Sequence, residues 1–355
     1  GSFTAGGVVH TIRHIGASAF YNNNITSTGT LTIPASVTSI GNSAFEGTGF
    51  QTVTIPASVT SIGDNAFDQC SSLTSMTFAD IENSGLLTIG TNAFQSSALT
   101  SIEIPASVTS IGNFAFDQCS SLTSVTFAAG IQLATIENYA FRLTAITSII
   151  IPASVTTIDN YAFNQCSSLA SVTFAAGSVI ATIGQDAFSL CGALTSIIIP
   201  ASVTSIGLQA FDSCGALTSV TFADIENSAL ATINVHAFYS CTSLTSIIIP
   251  ASVHTIGTNA FDGCTDLTSV TFIASTNWSN GITIGNNAFQ TTTALATVFI
   301  KDDGQIISET PYNTGSSYSL PGSASVPFKS YEIAGTGAFT AGNYTGAGSP
   351  PYAVL

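Results

Sequence analysis

Charge is what this chain has least of. Across 355 residues only 6% are Asp, Glu, Lys or Arg, against roughly 25% in an ordinary soluble domain. The shortage is also lopsided. Arg13, Arg142, Lys301 and Lys329 face nineteen acidic residues, leaving a formal charge of −15. Proteins hold a nucleic-acid backbone by releasing its counterions with cationic side chains, so this composition excludes nucleic acid as a partner. So few Lys and Arg leave little for trypsin-like proteases to cut, which suits an extracellular setting. No stretch of eighteen apolar residues occurs, so no transmembrane segment is expected. Residue 1 opens on Gly-Ser-Phe-Thr, without the charged start and apolar core of a secretory leader, and the chain reads as a mature or trimmed product. There is no Cys-x-x-Cys, no Gly-rich phosphate loop and no Ser/His/Asp order. Zinc, nucleotide and triad chemistry therefore have no footing, no cofactor is expected, and the chain reads as a non-enzyme.

What is there is repetition. An Ala-Phe pair recurs at Phe20, Phe45, Phe67, Phe94, Phe116, Phe141, Phe163, Phe188, Phe211, Phe238, Phe261 and Phe289, at spacings of 22 to 28 residues. A fixed period in this range is the mark of a stacked repeat, so the chain is expected to be a solenoid of about twelve rungs. Two rung types alternate. One carries Ile-Pro-Ala-Ser-Val, with its proline at Pro34, Pro56, Pro105, Pro152, Pro200 and Pro250; the other carries Thr-Phe, ending at Phe78, Phe127, Phe174, Phe222 and Phe272.

One rung can be read in full. In Leu194 to Pro200 the side chains of Leu194, Ile197 and Ile199 point inward, and Ile197 to Ile199 has the β-branched character of a short strand. Pro200 ends it, because proline has no N–H for the ladder. Val203 and Ile206 make a second inward pair, Gly207 turns the chain, and Ala210 with Phe211 packs the far wall within a short turn or 3₁₀ segment.

The run Ile-Pro-x-Ser-Val-Thr-x-Ile-Gly-x-x-Ala-Phe-x-x-Cys-x-x-Leu, intact from Ile199, resembles the BspA-type leucine-rich repeat family. The likeness covers residues 8 to 300 in register. It implies a right-handed leucine-rich-repeat solenoid, shown on a cell surface or secreted, with adhesion as the usual role and no catalytic residues. The expected organisation is a β-rich solenoid over 1–300, with short turn or 3₁₀ segments on its far side. A Gly/Ser/Tyr/Pro-rich tail over 301–355, irregular and β-like, acts as a cap or an inter-subunit contact.

Several rows invite a functional reading. All seven cysteines, Cys70, Cys119, Cys166, Cys191, Cys214, Cys241 and Cys264, lie three residues after the repeat Phe, where other rungs carry Asn23, Thr48, Ser97, Thr144 or Thr292. A slot shared by thiols and hydroxyls is expected to be a buried turn in which each meets a backbone group. Glu46, Asp68, Asp117, Asp212 and Asp262 follow the Phe by one residue, but neutral rungs interrupt the row and argue against a calcium ladder. Asp80/Glu82 and Asp224/Glu226 belong to a duplicated loop, and His10, His14, His236 and His254 read as solvated. Outward strand positions alternate Thr126, Ile150, Thr173, Ile198, Thr221 and Ile248, so Ile150, Ile198 and Ile248 form a candidate contact stripe. A flat Thr-rich array also suits ice binding, but the interleaved Ile and the irregular rungs argue against it. Trp278, in an insertion from Ile273 to Ile282, is a candidate anchor. Asn24, Asn277 and Asn343 begin Asn-x-Ser/Thr sequons, candidate glycosylation sites in a secreted protein.

Val8 to Phe20 already reads as the strand, turn and Ala-Phe segment of a rung, leaving no polar cap before it. Gly1 to Gly6 also resembles Gly337 to Gly342, marking Phe3, Val8, Val9, Phe339 and Tyr344 as candidate assembly contacts. Uncapped solenoid ends invite another chain to continue the stack. The expectation is an extracellular structural or adhesive protein that joins copies of itself head to tail into a filament or sheath. The alternative is a monomeric adhesin that takes a host protein, matrix or glycan on its concave face and the Trp278 loop.

Overall fold

A computed structural model describes residues 2–5, 8–23, 29–273 and 282–295, and strands at 297–302, 305–311, 331–333 and 337–339; side chains are described for 11–23, 29–273 and 282–295. The chain divides into two compact units, Gly1–Ser178 and Val179–Leu355. Each is a parallel-strand β-solenoid of the leucine-rich-repeat type, with no helix among the described residues.

In the first unit the long strands Thr30–Thr32, Thr52–Ile55, Ser75–Phe78, Ser101–Ile104, Ser124–Phe127, Ser148–Ile151 and Ser171–Phe174 pair in parallel. Alternation fixes their faces. In Ser101–Ile104 and Ser148–Ile151 the second and fourth side chains are buried and the first and third are exposed. The Ile-Pro-Ala-Ser-Val turn follows: Val59 N–H reaches Pro56 O at 3.0 Å, while the hydroxyls of Ser58, Ser107 and Ser154 donate to carbonyls of the preceding rung at 2.6 to 2.8 Å. The serine repeated in this turn is thus a clamp between rungs.

Short two-residue strands form the second wall, and the glycine after each marks a close approach. A Cβ on Gly41, Gly63, Gly90 or Gly112 would meet backbone nitrogen of the preceding rung at 2.6 to 2.7 Å. In the next rung Glu137 stands in that place, and there the ladder breaks: Ser110–Ile111 closes one sheet and Thr135–Ile136 opens another.

The second unit repeats the plan with Ser196–Ile199, Ser219–Phe222, Ser246–Ile249, Ser269–Ile273 and Thr297–Asp302 in parallel, then Gln305–Pro311 added antiparallel. Tyr331–Ile333 pairs with Gly337–Phe339 and packs beside the short strand Thr283–Ile284 of the last rung.

The repeat phenylalanines form a column in each unit. Rings from Phe20 to Phe163 and from Phe188 to Phe289 stack at 5.1 to 5.4 Å, within 11° of parallel. The segment around each Phe is not a 3₁₀ helix. Two positions, two residues before and two after the Phe, adopt positive φ: 53° and 67° at Ser43 and Gly47, 54° and 55° at Asn65 and Gln69. Left-handed backbone costs an L-residue about 1–2 kcal/mol, and here it turns alternate N–H groups toward the next rung. Ser43, Phe45 and Gly47 donate to the carbonyls of Asp64, Ala66 and Asp68 at 2.8 to 2.9 Å. A regular helix would spend those donors within its own rung.

The N-terminus also departs from expectation. Val8–Thr11 is not a strand of the long sheet but pairs antiparallel with Ser2–Ala5, Phe3 opposite His10 and Val9 opposite Thr4. Ser2–Ala5 lies nearer in sequence to Val8–Thr11 than any rung strand does, so the local pairing is closed at the smaller entropy cost.

Candidate contact surfaces

The long-strand face is hydroxyl-rich and almost uncharged. In the first unit its outward third positions are Thr32, Thr54, Thr77, Glu103, Thr126, Ile150 and Thr173. Ile150 is 63% exposed; in the second unit Ile198 and Ile248 are 60% and 39% exposed. All three stand on the outward face expected of them. An isoleucine there contributes nothing to the core, whereas Thr fits the same backbone equally well.

A second surface is the free edge of the first rung. Phe20 is 37% exposed, while its successor Phe45 is 1% exposed, and Ile12 and Tyr21 are exposed beside it. The polarity of the turn ladder gives this edge a chemical sense. Each rung donates N–H groups forward and accepts from behind, so the first rung is left with the carbonyls of Ala17, Ala19 and Tyr21, which accept no hydrogen bond among the described residues. At the far edge the N–H groups of Asn287, Phe289 and Thr291 find no partner among the described residues. The Phe289 ring itself is covered, at 1% exposure.

The cysteine slot is a structural ladder. All seven thiols are buried and none is in a disulfide. Thr48 and Thr144 hydroxyls donate to the carbonyl of their own rung's Phe at 2.7 and 2.8 Å, whereas Cys70, Cys119, Cys166, Cys214, Cys241 and Cys264 reach back to the Phe carbonyl of an earlier rung at 3.0 to 3.2 Å. The thiol, with its longer bonds, spans a gap that a hydroxyl does not. Burial pushes the thiols of Cys70 and Cys241 up, Cys166 to about 11 and Cys119, Cys214 and Cys264 to about 12. Only the thiolate is nucleophilic, so native protein at pH 8 is expected to resist iodoacetamide at all seven positions and to react at all of them in guanidinium. A native thiol labelled within minutes would contradict this placement.

The acidic row is likewise spent on packing. Asp117 is fully buried, takes the Arg142 guanidinium on both oxygens at 2.8 and 3.0 Å, and accepts from Gln95 and Gln118. Asp262 accepts from Thr291 at 2.6 Å, and no cluster of three metal-ligating side chains exists among the described residues. Asp80 and Asp224 close local turns onto Asn83 and Asn227. His14 meets the Ser39 hydroxyl at 2.7 Å, His236 packs edge-on to Tyr239, and His254 is exposed.

Asp68 is the exception. Its Oδ1 is buried without a partner, and burial together with Glu46 raises its pKa against the bond from Gln69. A carboxyl that holds its proton more tightly when folded favours the native state at low pH, and that contribution is lost as pH rises from the usual carboxylate value through the raised one. Asn164 occupies the same position two Ile-Pro rungs later, with Gln165 donating to it as Gln69 does to Asp68. Asp68→Asn should therefore stabilise the protein by about 1 kcal/mol at pH 7 and lose that advantage near pH 4. Urea midpoints at the two pH values check it.

One cluster escaped the sequence reading. Phe114, Tyr139 and Tyr161 stack at 4.5 and 4.6 Å, and Arg142 lies 5.1 Å from the Tyr139 ring centre. All three aromatics have φ near 60°, at the position two before the repeat Phe. The signal was three consecutive rungs carrying Phe or Tyr where others carry Ser, Asn, Asp, Gln or His. Trp278, Asn24, Asn277, Asn343 and Tyr344 lie outside the described residues, and Phe3, Val8, Val9 and Phe339 are described as backbone only.

These features define a leucine-rich-repeat solenoid with structural cysteines and bare contact surfaces. The family model for the BspA type leucine rich repeat region matches in six copies over residues 8–85, 87–189 and 181–318, and the chain belongs to that family. No curated protein matches it. Among solved structures, a leucine-rich repeat protein from Bacteroides ovatus is 27% identical over 84% of each chain, with a TM-score of 0.60. A leucine rich cell surface protein from Faecalibacterium prausnitzii is 28% identical over 86% of this chain and 95% of its own, with a TM-score of 0.42. The pneumococcal vaccine antigen PcpA is 21% identical over 92% and 81%, with a TM-score of 0.49. No helix among the described residues is long and apolar enough to cross a membrane.

Proposed function

We propose that the chain is a non-enzymatic, surface-displayed structural or adhesive protein whose copies stack end to end, continuing the rung ladder from one molecule to the next. The observation that carries the reading is Phe20. Its ring is 37% exposed where every later member of the column is at most 1% exposed, and the carbonyls flanking it are the acceptors that a preceding rung's N–H groups are shaped to meet. Contact between unlike ends is heterologous, and where its rotation does not close a ring it grows into a filament. The magnitudes set its strength. Three backbone hydrogen bonds at about 1 kcal/mol each and about 1 kcal/mol for the remaining ring area do not by themselves repay the 4–15 kcal/mol that association costs. Stacking must therefore engage the strand walls as well and must be concentration-dependent. Because Phe289 is already covered, its cover is displaced or shared on stacking. Sedimentation velocity of the full chain over a hundredfold range of concentration is expected to show growing species; a single monomer boundary throughout would overturn the reading.

A second reading, a monomeric adhesin, is favoured by one observation of its own, the outward Ile150, Ile198 and Ile248. It places recognition on the long-strand face.

A further inference from the structure

We propose that the first unit carries a binding groove for a neutral saccharide chain, built around Ile150. The groove encloses about 580 Å³ between the strands Ser124–Phe127 and Ser148–Ile151 and the loop through Gly130 and Gln132. That volume lies within the range of small-ligand sites.

Three features select the ligand. The first is charge: no ionisable side chain lines the groove, although the loop at the same point of an earlier rung carries Asp80 and Glu82. An anionic glycan finds no cation here and meets the field of an acidic chain. The second is the mixture of surfaces. Ile150 is the most exposed large apolar residue described, Thr126 holds the same outward slot of the neighbouring strand, and the exposed hydroxyls of Ser124, Thr126 and Ser148 make no hydrogen bond among the described residues. Gln132 donates to Gly130 O at 2.9 Å, which leaves its amide oxygen to accept. A sugar ring offers the matching pair, an apolar C–H face for Ile150 and hydroxyl edges for the Ser and Thr row. The third is backbone. Ser124–Phe127 and Ser148–Ile151 are paired to neighbours on both sides, so a peptide cannot add as a strand and would have to be held by side chains alone. Gly130, with φ of 81° and open space where a Cβ would stand, folds the loop back without closing the groove.

The site is independent of end-to-end stacking, and a stacking protein that binds no sugar would sink this proposal alone. Calorimetric titration of the full chain with cello-, laminari-, chito- and mannohexaose is expected to show binding of at least one. Ile150→Thr places the residue of the neighbouring rungs in the same outward slot and so leaves the fold intact. It is expected to weaken that binding at least tenfold, while Ile248→Thr in the second unit leaves it unchanged. No binding of any of the four at millimolar concentration, binding only of heparin, or an unaltered affinity in Ile150→Thr would overturn the proposal.

Discussion

Phe211→Ala should lower the stability of the chain by about 3–5 kcal/mol, the range for emptying a fully buried aromatic site. Phe211 is 0% exposed and lies between Phe188 and Phe238 at 5.3 and 5.2 Å. The rungs above and below are pinned by the backbone bonds of the turn ladder, Phe188 N–H to Ala210 O and Phe211 N–H to Ala237 O, both 2.8 Å. The walls therefore cannot collapse into the space, and the loss falls at the high end for a substitution of this kind. Because each rung rests only on its neighbours, the damage spreads along the stack rather than staying local. Urea denaturation gives the answer as a shifted midpoint. A loss below about 1 kcal/mol would show that the phenylalanine column is not the core.

At the exposed end the same residue type behaves differently. Phe20→Lys removes a ring that, among the described residues, stacks only on Phe45, so the fold should lose no more than about 1–2 kcal/mol. Its effect on assembly should be far larger. A stacked copy would bury the ammonium group against the apolar end of another solenoid, and an unpaired buried charge costs several kcal/mol. Since every 1.4 kcal/mol is tenfold in an association constant, Phe20→Lys is expected to hold the protein monomeric at concentrations at which the wild type assembles. Equal assembly by the two would place the contact elsewhere.

Much of this architecture was legible before any coordinates. The Ala-Phe period gave the rung, proline and glycine gave its corners, and the shared slot of Cys, Thr and Ser gave a buried polar ladder. Three things were not legible. Positive φ at Ser43 or Tyr139 leaves no mark in a sequence when nearly any residue type is tolerated there, because the ladder bonds, not the side chain, hold the conformation. Val8–Thr11 has the alternation of a rung strand, but pairing is chosen by the neighbour, and Ser2–Ala5 lies nearer in sequence than any rung. The bridge from Arg142 to Asp117 joins residues 25 apart; in the sequence Arg142 is only one of the residues that interrupt the acid row, with nothing to mark it as the partner of Asp117. The candidate contacts were more readable than the joints. Ile150, Ile198 and Ile248 announce themselves because a repeat that fills the outward slot with Thr makes each departure visible.

The decisive measurement is electron microscopy of fibres grown from the full chain, with the layer spacing read from their power spectra. Strands in a parallel ladder lie about 4.8 Å apart, so end-to-end stacking predicts a layer line at about 4.8 Å directed along the fibre axis, absent from preparations of Phe20→Lys. Dispersed single particles at every concentration, or fibres whose 4.8 Å spacing runs across the axis, would contradict it.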